Sequence, residues 1–96
     1  MIIWQYDVKL EHSKDFEQAY NENGLWVDLF RKAEGYIKTI LLKDSMIQNR
    51  YVTIDYWDSY DAFSQFKKSF KTEYNKLDLM CQSFTETETK IGEYFY

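Results

Sequence analysis

Alternating apolar and polar positions pick out the strands of this chain. In Arg50–Trp57, Val52, Ile54 and Tyr56 alternate with Tyr51, Thr53, Asp55 and Trp57, the period-2 signature of a strand. Tyr36–Lys43, just upstream, is rich in β-branched and aliphatic residues. The turn formers at 44–49, Asp-Ser-Met-Ile-Gln-Asn, make the pair an antiparallel hairpin. Residues 2–10 predict a first strand, with Ile2, Trp4, Tyr6, Val8 and Leu10 on one face and Ile3, Gln5, Asp7 and Lys9 on the other. Residues 91–96 predict the last strand, after a polar stretch at 85–89.

Between the strands the period changes. Ser13 is a candidate N-cap for a helix carrying Asp15, Phe16, Glu17 and Tyr20. Gly24 interrupts, and Trp26, Leu29, Phe30 and Ala33 then fall at i, i+3, i+4, i+7 before Gly35 closes the segment. Residues 13–34 therefore read as two helical pieces with a kink. Ser59 caps the next helix, whose first turn carries Asp61. Phe63, Phe66, Phe70, Tyr74, Leu77, Cys81 and Phe84 follow at spacings of 3, 4, 4, 3, 4 and 3, a helical face of about six turns. The stripe slips near residues 69–72, where a break is expected.

The order is β-α-β-β-α-β, and the fold class is α+β, a ferredoxin-like four-stranded antiparallel sheet. Helices would cover one face. The other also carries large apolar side chains, and an exposed patch of that kind marks an interface. A homodimer, sheet to sheet about a two-fold axis through the open face, is the simplest closure.

Composition narrows the possibilities. The 96 residues make one domain, 1–96, with 45% apolar and 20% aromatic residues. Net charge is -4, so a nucleic-acid partner, which would want a basic face, is not expected. Lys67, Lys68, Lys71 and Lys76 read as a solvated helix face. Cys81 is the only cysteine, so no internal disulfide and no cysteine-rich metal site can form. The first residues lack a basic start and a long apolar core, so no leader is expected. No apolar run approaches the ~20 residues of a membrane span. A cytoplasmic protein without a membrane partner is the default expectation.

The ordered pattern Trp26-x2-Leu29-Phe30-Arg31-x-Ala33-x-Gly35-Tyr36, Leu41-Leu42-x-Asp44 and Tyr51-x-Thr53-x-Asp55-x-Trp57-x-Ser59-x2-Ala62 resembles the antibiotic biosynthesis monooxygenase domain. The similarity continues to Glu88-x3-Gly92 and is most diagnostic at Trp57-x-Ser59. The resemblance implies a dimeric α+β barrel with a ligand between sheet and helices of one protomer. It also implies either cofactor-independent oxygenation of aromatic or quinol substrates, or haem degradation. The haem-degrading branch places Asn, Trp and His where this chain has Asp7, Phe66 and Lys76. Without a proximal imidazole at that last position, haem is not expected, and many other members carry His at the position of Phe66.

Cofactor-free oxygenation needs a flat apolar slot, a base and exclusion of water. Asp55 and Tyr51 are the catalytic candidates, and Tyr6, Trp26, Trp57, Phe63, Phe66 and Tyr74 the candidate pocket residues. A carboxylate in an apolar strand is costly unless paired. Asp55 is thus either a base of raised pKa or a partner of Arg50, a lysine or a tyrosine at the sheet interface. Trp57 either walls the slot or belongs to the core. His12, the only imidazole, reads as a surface residue. No Ser-His triad can be assembled without it. Gly24, Gly35 and Gly92 are isolated, so there is no phosphate cradle, and no metal or cofactor is expected. Three functions stay open: a monooxygenase for an electron-rich aromatic or quinol, a barrel that binds an aromatic small molecule, and a structural dimer. A cavity of a few hundred Å3 beside Asp55, the usual ligand size, would separate the first two from the third.

Overall fold

A computed structural model describes residues 1–96. The strands are β1 (Ile2–Val8), β2 (Tyr36–Lys43), β3 (Arg50–Trp57) and β4 (Thr85–Glu93). They form one sheet in the order β2-β3-β1-β4, every neighbour antiparallel. The helices are α1 (Ser13–Tyr20), α2 (Leu25–Phe30), α3 (Tyr60–Ser69) and α4 (Lys71–Cys81). This is the expected ferredoxin-like α+β arrangement, with the helices on one face of the sheet. No helix is long and apolar enough to cross a membrane.

Local chemistry explains where the elements start and stop. Ser59 Oγ accepts a hydrogen bond from the Ala62 N–H at 3.1 Å and caps α3 as expected. Ser13 does not cap α1. A 3-10 turn over Leu10–His12 feeds directly into that helix, and Ser13 is already helical. The long apolar stripe breaks at Phe70, whose φ of -114° and ψ of 28° separate α3 from α4. The break falls where the stripe slips.

The last strand is the main difference from the sequence reading. It begins at Thr85 and ends at Glu93 rather than covering 91–96. Thr85, Thr87 and Thr89 are β-branched residues on an edge strand, where one side faces water and polar side chains cost little. The pairing places Glu88 opposite Tyr6, so this polar segment contributes to the helix-covered face.

That face is the core. Ile2, Tyr6 and Val8 of β1 and Tyr51 and Trp57 of β3 are buried beneath Phe16, Ala19, Tyr20, Trp26, Leu29, Phe30, Phe66 and Cys81. Packing is mostly ring on ring: Phe16 stacks on Tyr20 with centroids 4.2 Å apart, and Phe30 meets Trp57 and Phe66 edge-on. The opposite face carries Ile3, Ile40, Val52, Ile54 and Tyr56, all half-buried, and the half-exposed Leu42. Asp7 on that face accepts two bonds from the Arg50 guanidinium, at 2.8 and 3.3 Å, and one from Thr87 at 2.7 Å. Arg50, followed by Thr87, holds the Asp7 carboxyl below the usual range.

Gly35 joins the two layers. Its φ is +88°, and a Cβ there would lie 2.5 Å from Ala62 Cβ, while its carbonyl accepts from the Asp58 N–H at 2.7 Å. Positive φ and close approach both call for glycine. Gly35→Ala is expected to destabilise the fold by about 1–3 kcal/mol in urea unfolding. Adding Ala62→Gly should recover only part of that loss, since it removes the clash but not the strained φ. Full stability in the single variant would contradict the assignment.

Candidate functional site

Four side chains of β3 point under the helices, and their sizes run large, small, small, large: Tyr51, Thr53, Asp55, Trp57. Thr39, paired with Asp55 in the β2–β3 register, is another small side chain on the same face. The volume missing at the middle of this row is a cavity of about 170 Å3 between the sheet and the helices. Trp4, Tyr6, Tyr20, Trp26, Phe30 and Tyr74 form its walls. Thr39, Thr53 and Asp55 supply its polar floor, and Asp78 of α4 and Glu88 of β4 its solvent-exposed rim. It is smaller than the usual pocket of ~300 Å3 and above. It is close to the ~150 Å3 that accepts a single benzene ring.

Hydrogen bonds order the floor. Tyr36 donates to Thr39 at 2.8 Å, and Thr39 donates to Asp55 Oδ1 at 2.7 Å. Tyr6 and Thr53 share a hydrogen bond of 3.2 Å. Asp55 is only 8% exposed, and its Oδ2 accepts no hydrogen bond from the protein. Burial raises its pKa to about 6, and the Thr39 hydrogen bond only partly offsets this. An acid of that pKa exchanges its proton near neutral pH. Neither Arg50 nor a lysine pairs with it. Arg50 is committed to Asp7 on the other face.

The other phenols are harder to ionise than usual. Burial raises Tyr6 well above its ordinary value. Tyr74 is pushed up to about 12 by burial and then by Asp78, Asp55 and Glu88. Glu88 is itself raised, by burial and then by Asp78.

The structure therefore brings Asp55, Tyr6, Trp26 and Tyr74 together and leaves the other candidates elsewhere. Tyr51 is fully buried against Phe16 and donates to Glu17, so it does not line the cavity. Trp57 is enclosed by the rings of Phe30, Tyr36, Phe63 and Phe66. Its Nε1, like that of Trp26, is buried without a hydrogen-bond partner. The expected Trp57-walled slot is displaced by two residues along β3, because rings from α2 and α3 close over the strand's end. Phe63 and Phe66 belong to the same packed end.

A wider depression of about 560 Å3 between α3 and the connection from α2 to β2 touches Phe66. Its charged groups Lys32, Glu34 and Asp58 are exposed, and it holds no buried ionisable group. His12 packs against Phe84 and pairs with Asp15 at 3.1 Å, away from the cavity. No group of three or more His, Cys, Asp or Glu side chains is placed to hold a metal ion.

The sequence reading missed Trp4, Thr39, Thr53, Tyr20, Asp78 and Glu88 as cavity residues. Two were within reach: Thr53 lies two positions from Asp55, and Asp78 four positions from Tyr74, on one helix face. Thr39 and Glu88 depend on strand register and could not be read without it.

By sequence, the model of the antibiotic biosynthesis monooxygenase family matches residues 1–74. No curated protein matches the chain. Solved structures similar to it share the fold at low identity. A Nitrosomonas europaea protein, provisionally named an antibiotic biosynthesis monooxygenase, has TM-score 0.70 and 14% identity, over 97% of this chain and 88% of that one. PA3566 from Pseudomonas aeruginosa has TM-score 0.69 and 11% identity, covering 99% and 90%. SnoaB, a cofactor-independent oxygenase from Streptomyces nogalater, has TM-score 0.66 and 15% identity, covering 99% and 92%.

Raising an acid's pKa in the folded state makes the fold bind more protons than the unfolded chain. The stability Asp55 contributes is therefore fully present below its ordinary value of 3.8 and lost as pH rises through about 6. Carboxyl NMR should find an aspartate titrating near 6, and Thr39→Val, which removes its one donor, should move that midpoint upward. Relative to Asp55→Asn, the unaltered protein should lose about 2 kcal/mol of stability between pH 4 and 7. A midpoint near 3.8 would contradict the placement of Asp55.

Proposed function

The chain belongs to the antibiotic biosynthesis monooxygenase family, and on that premise we propose that it is a cofactor-independent monooxygenase for an electron-rich aromatic or quinol. One observation carries the reading. Asp55, nine-tenths buried with a free Oδ2, faces an aromatic-walled cavity of single-ring size. A carboxylate with a pKa near 6 is a competent general base at neutral pH.

In this reading Asp55 takes a phenolic proton, and the aromatic walls exclude the water that would solvate the resulting phenolate. An electron passes from the phenolate to dioxygen, and the superoxide so formed recombines at a ring carbon. The C–O bond forms there, the O–O bond breaks, and the distal oxygen leaves as water with the ring C–H proton and the proton that Asp55 returns. For a hydroquinone the net change is hydroquinone plus dioxygen to hydroxyquinone plus water, with all four electrons coming from the substrate. Thr39 and Thr53, with Tyr6, hold the polar floor in register, and Tyr74 and Trp26 bound the ring.

Oxygen uptake by the metal-free protein is measured against a panel of single-ring hydroquinones, with a three-ring hydroxyanthrone as the size control. Turnover above background is expected, falling about 10²-fold or more in Asp55→Asn. Equal turnover in the variant would remove Asp55 from the chemistry. Quenching of tryptophan fluorescence without uptake would replace the enzyme with a non-catalytic binding protein.

The open sheet face supports a homodimer, since Ile3, Ile40, Leu42, Val52 and Ile54 place an apolar patch on three adjacent strands. Sedimentation velocity should give a dimer, and Ile54→Glu a folded monomer. A monomer before substitution would refute this partner.

A further inference from the structure

The cavity has one sign of charge. Asp55 stands at its floor and Asp78 and Glu88 at its rim, and no lysine or arginine lines it. The acidic surface continues outward, where Asp78 and Glu88 also border a depression holding Glu86. Two lysines sit on wall rings without lining the cavity: Lys67 lies over the Tyr74 ring at 5.1 Å and Lys90 over the Trp4 ring at 5.5 Å. Lys90 also pairs with Glu93. The walls are π-faces, which attract cations, and Asp55 Oδ2 has no protein donor.

A phenolate formed here would face the carboxylates of Asp78 and Glu88, Asp55 having taken its proton. That repulsion opposes its formation unless the ligand brings a positive charge of its own. A low-dielectric cleft with charge of one sign also focuses its field on the incoming molecule. We infer that the substrate of this cavity is a single-ring phenolic amine, its ring between Tyr6, Tyr20, Trp26 and Tyr74 and its ammonium against Asp78 and Glu88 at the mouth. This rests on the monooxygenase reading for the phenol, and on the cavity itself for the ring size and the cation. The ammonium compensates the rim, and the phenol reaches the free oxygen of Asp55.

Three probes with one ring and different charge test this by isothermal titration: tyramine, 4-ethylphenol and 4-hydroxyphenylacetate. Tyramine is expected to bind about tenfold or more tightly than the neutral phenol, and the anion most weakly. Asp78→Asn combined with Glu88→Gln should abolish the preference for tyramine by weakening tyramine far more than 4-ethylphenol, and each single change should remove part of it. Both positions are exposed, so the variants are expected to fold. Equal affinities, preference for the anion, no binding by any probe, or an undiminished preference in the variants would each overturn the inference. Oxygen uptake is read separately. Selective tyramine binding without uptake defeats only the monooxygenase reading, whereas uptake on neutral hydroquinones without preference for the amine defeats only this one.

Discussion

A single desolvated carboxylate sets the terms for the rest of the molecule. Asp55 sits on a central strand, under a roof of aromatic rings, with one hydrogen bond from Thr39 to offset its burial. Burying a charge with so little compensation is costly, and proteins keep such groups neutral or use them. The fold can carry this one because the core around it is large for so short a chain. Rings from α1, α2, α3 and α4 pack toward the inner sheet face. The stability held in the packed ends offsets the strain of the unfilled centre, the trade expected where a site is built into a marginally stable domain.

The aromatic residues divide into two groups with different work. Trp57, Phe30, Phe63 and Phe66 interlock at the end of β3 and shut out solvent. Tyr6, Tyr20, Trp26 and Tyr74 stand around the small side chains Thr39, Thr53 and Asp55 and leave space between them. Both groups satisfy the same apolar demand of a helix-on-sheet layer. Only the size of the residues opposite decides which end fills and which stays open. Phe30 belongs to both, forming part of the cavity wall while its ring contacts the packed end.

Charge is organised by face as firmly as size. Arg50 and Asp7 pair on the outer face, which removes the one arginine of β3 from the inner row and leaves the cavity acidic. Lys38 and Lys43 lie over tyrosine rings of β3 at 5.1 and 5.7 Å, and neither lines the cavity. The same strand therefore presents an apolar outer surface suited to a second copy and an acidic inner surface suited to a ligand, with side-chain alternation as the only device.

Alternation and helical spacing are local, and they were enough to establish the order β-α-β-β-α-β, the Ser59 cap, the glycine at position 35 and the break near Phe70. They also singled out Asp55, because a carboxylate among apolar alternation is an anomaly visible in the sequence itself. What they could not supply was register. Thr39 reaches Asp55, and Glu88 reaches the rim, only through pairings between strands distant along the chain. Trp57 and Tyr51 share the inner row with Asp55, and the sequence treats all three alike. Only the packing of the helices decides that the two large side chains are covered and the small ones between them border a void, because a cavity is a deficit of volume summed over several elements and belongs to none of them alone.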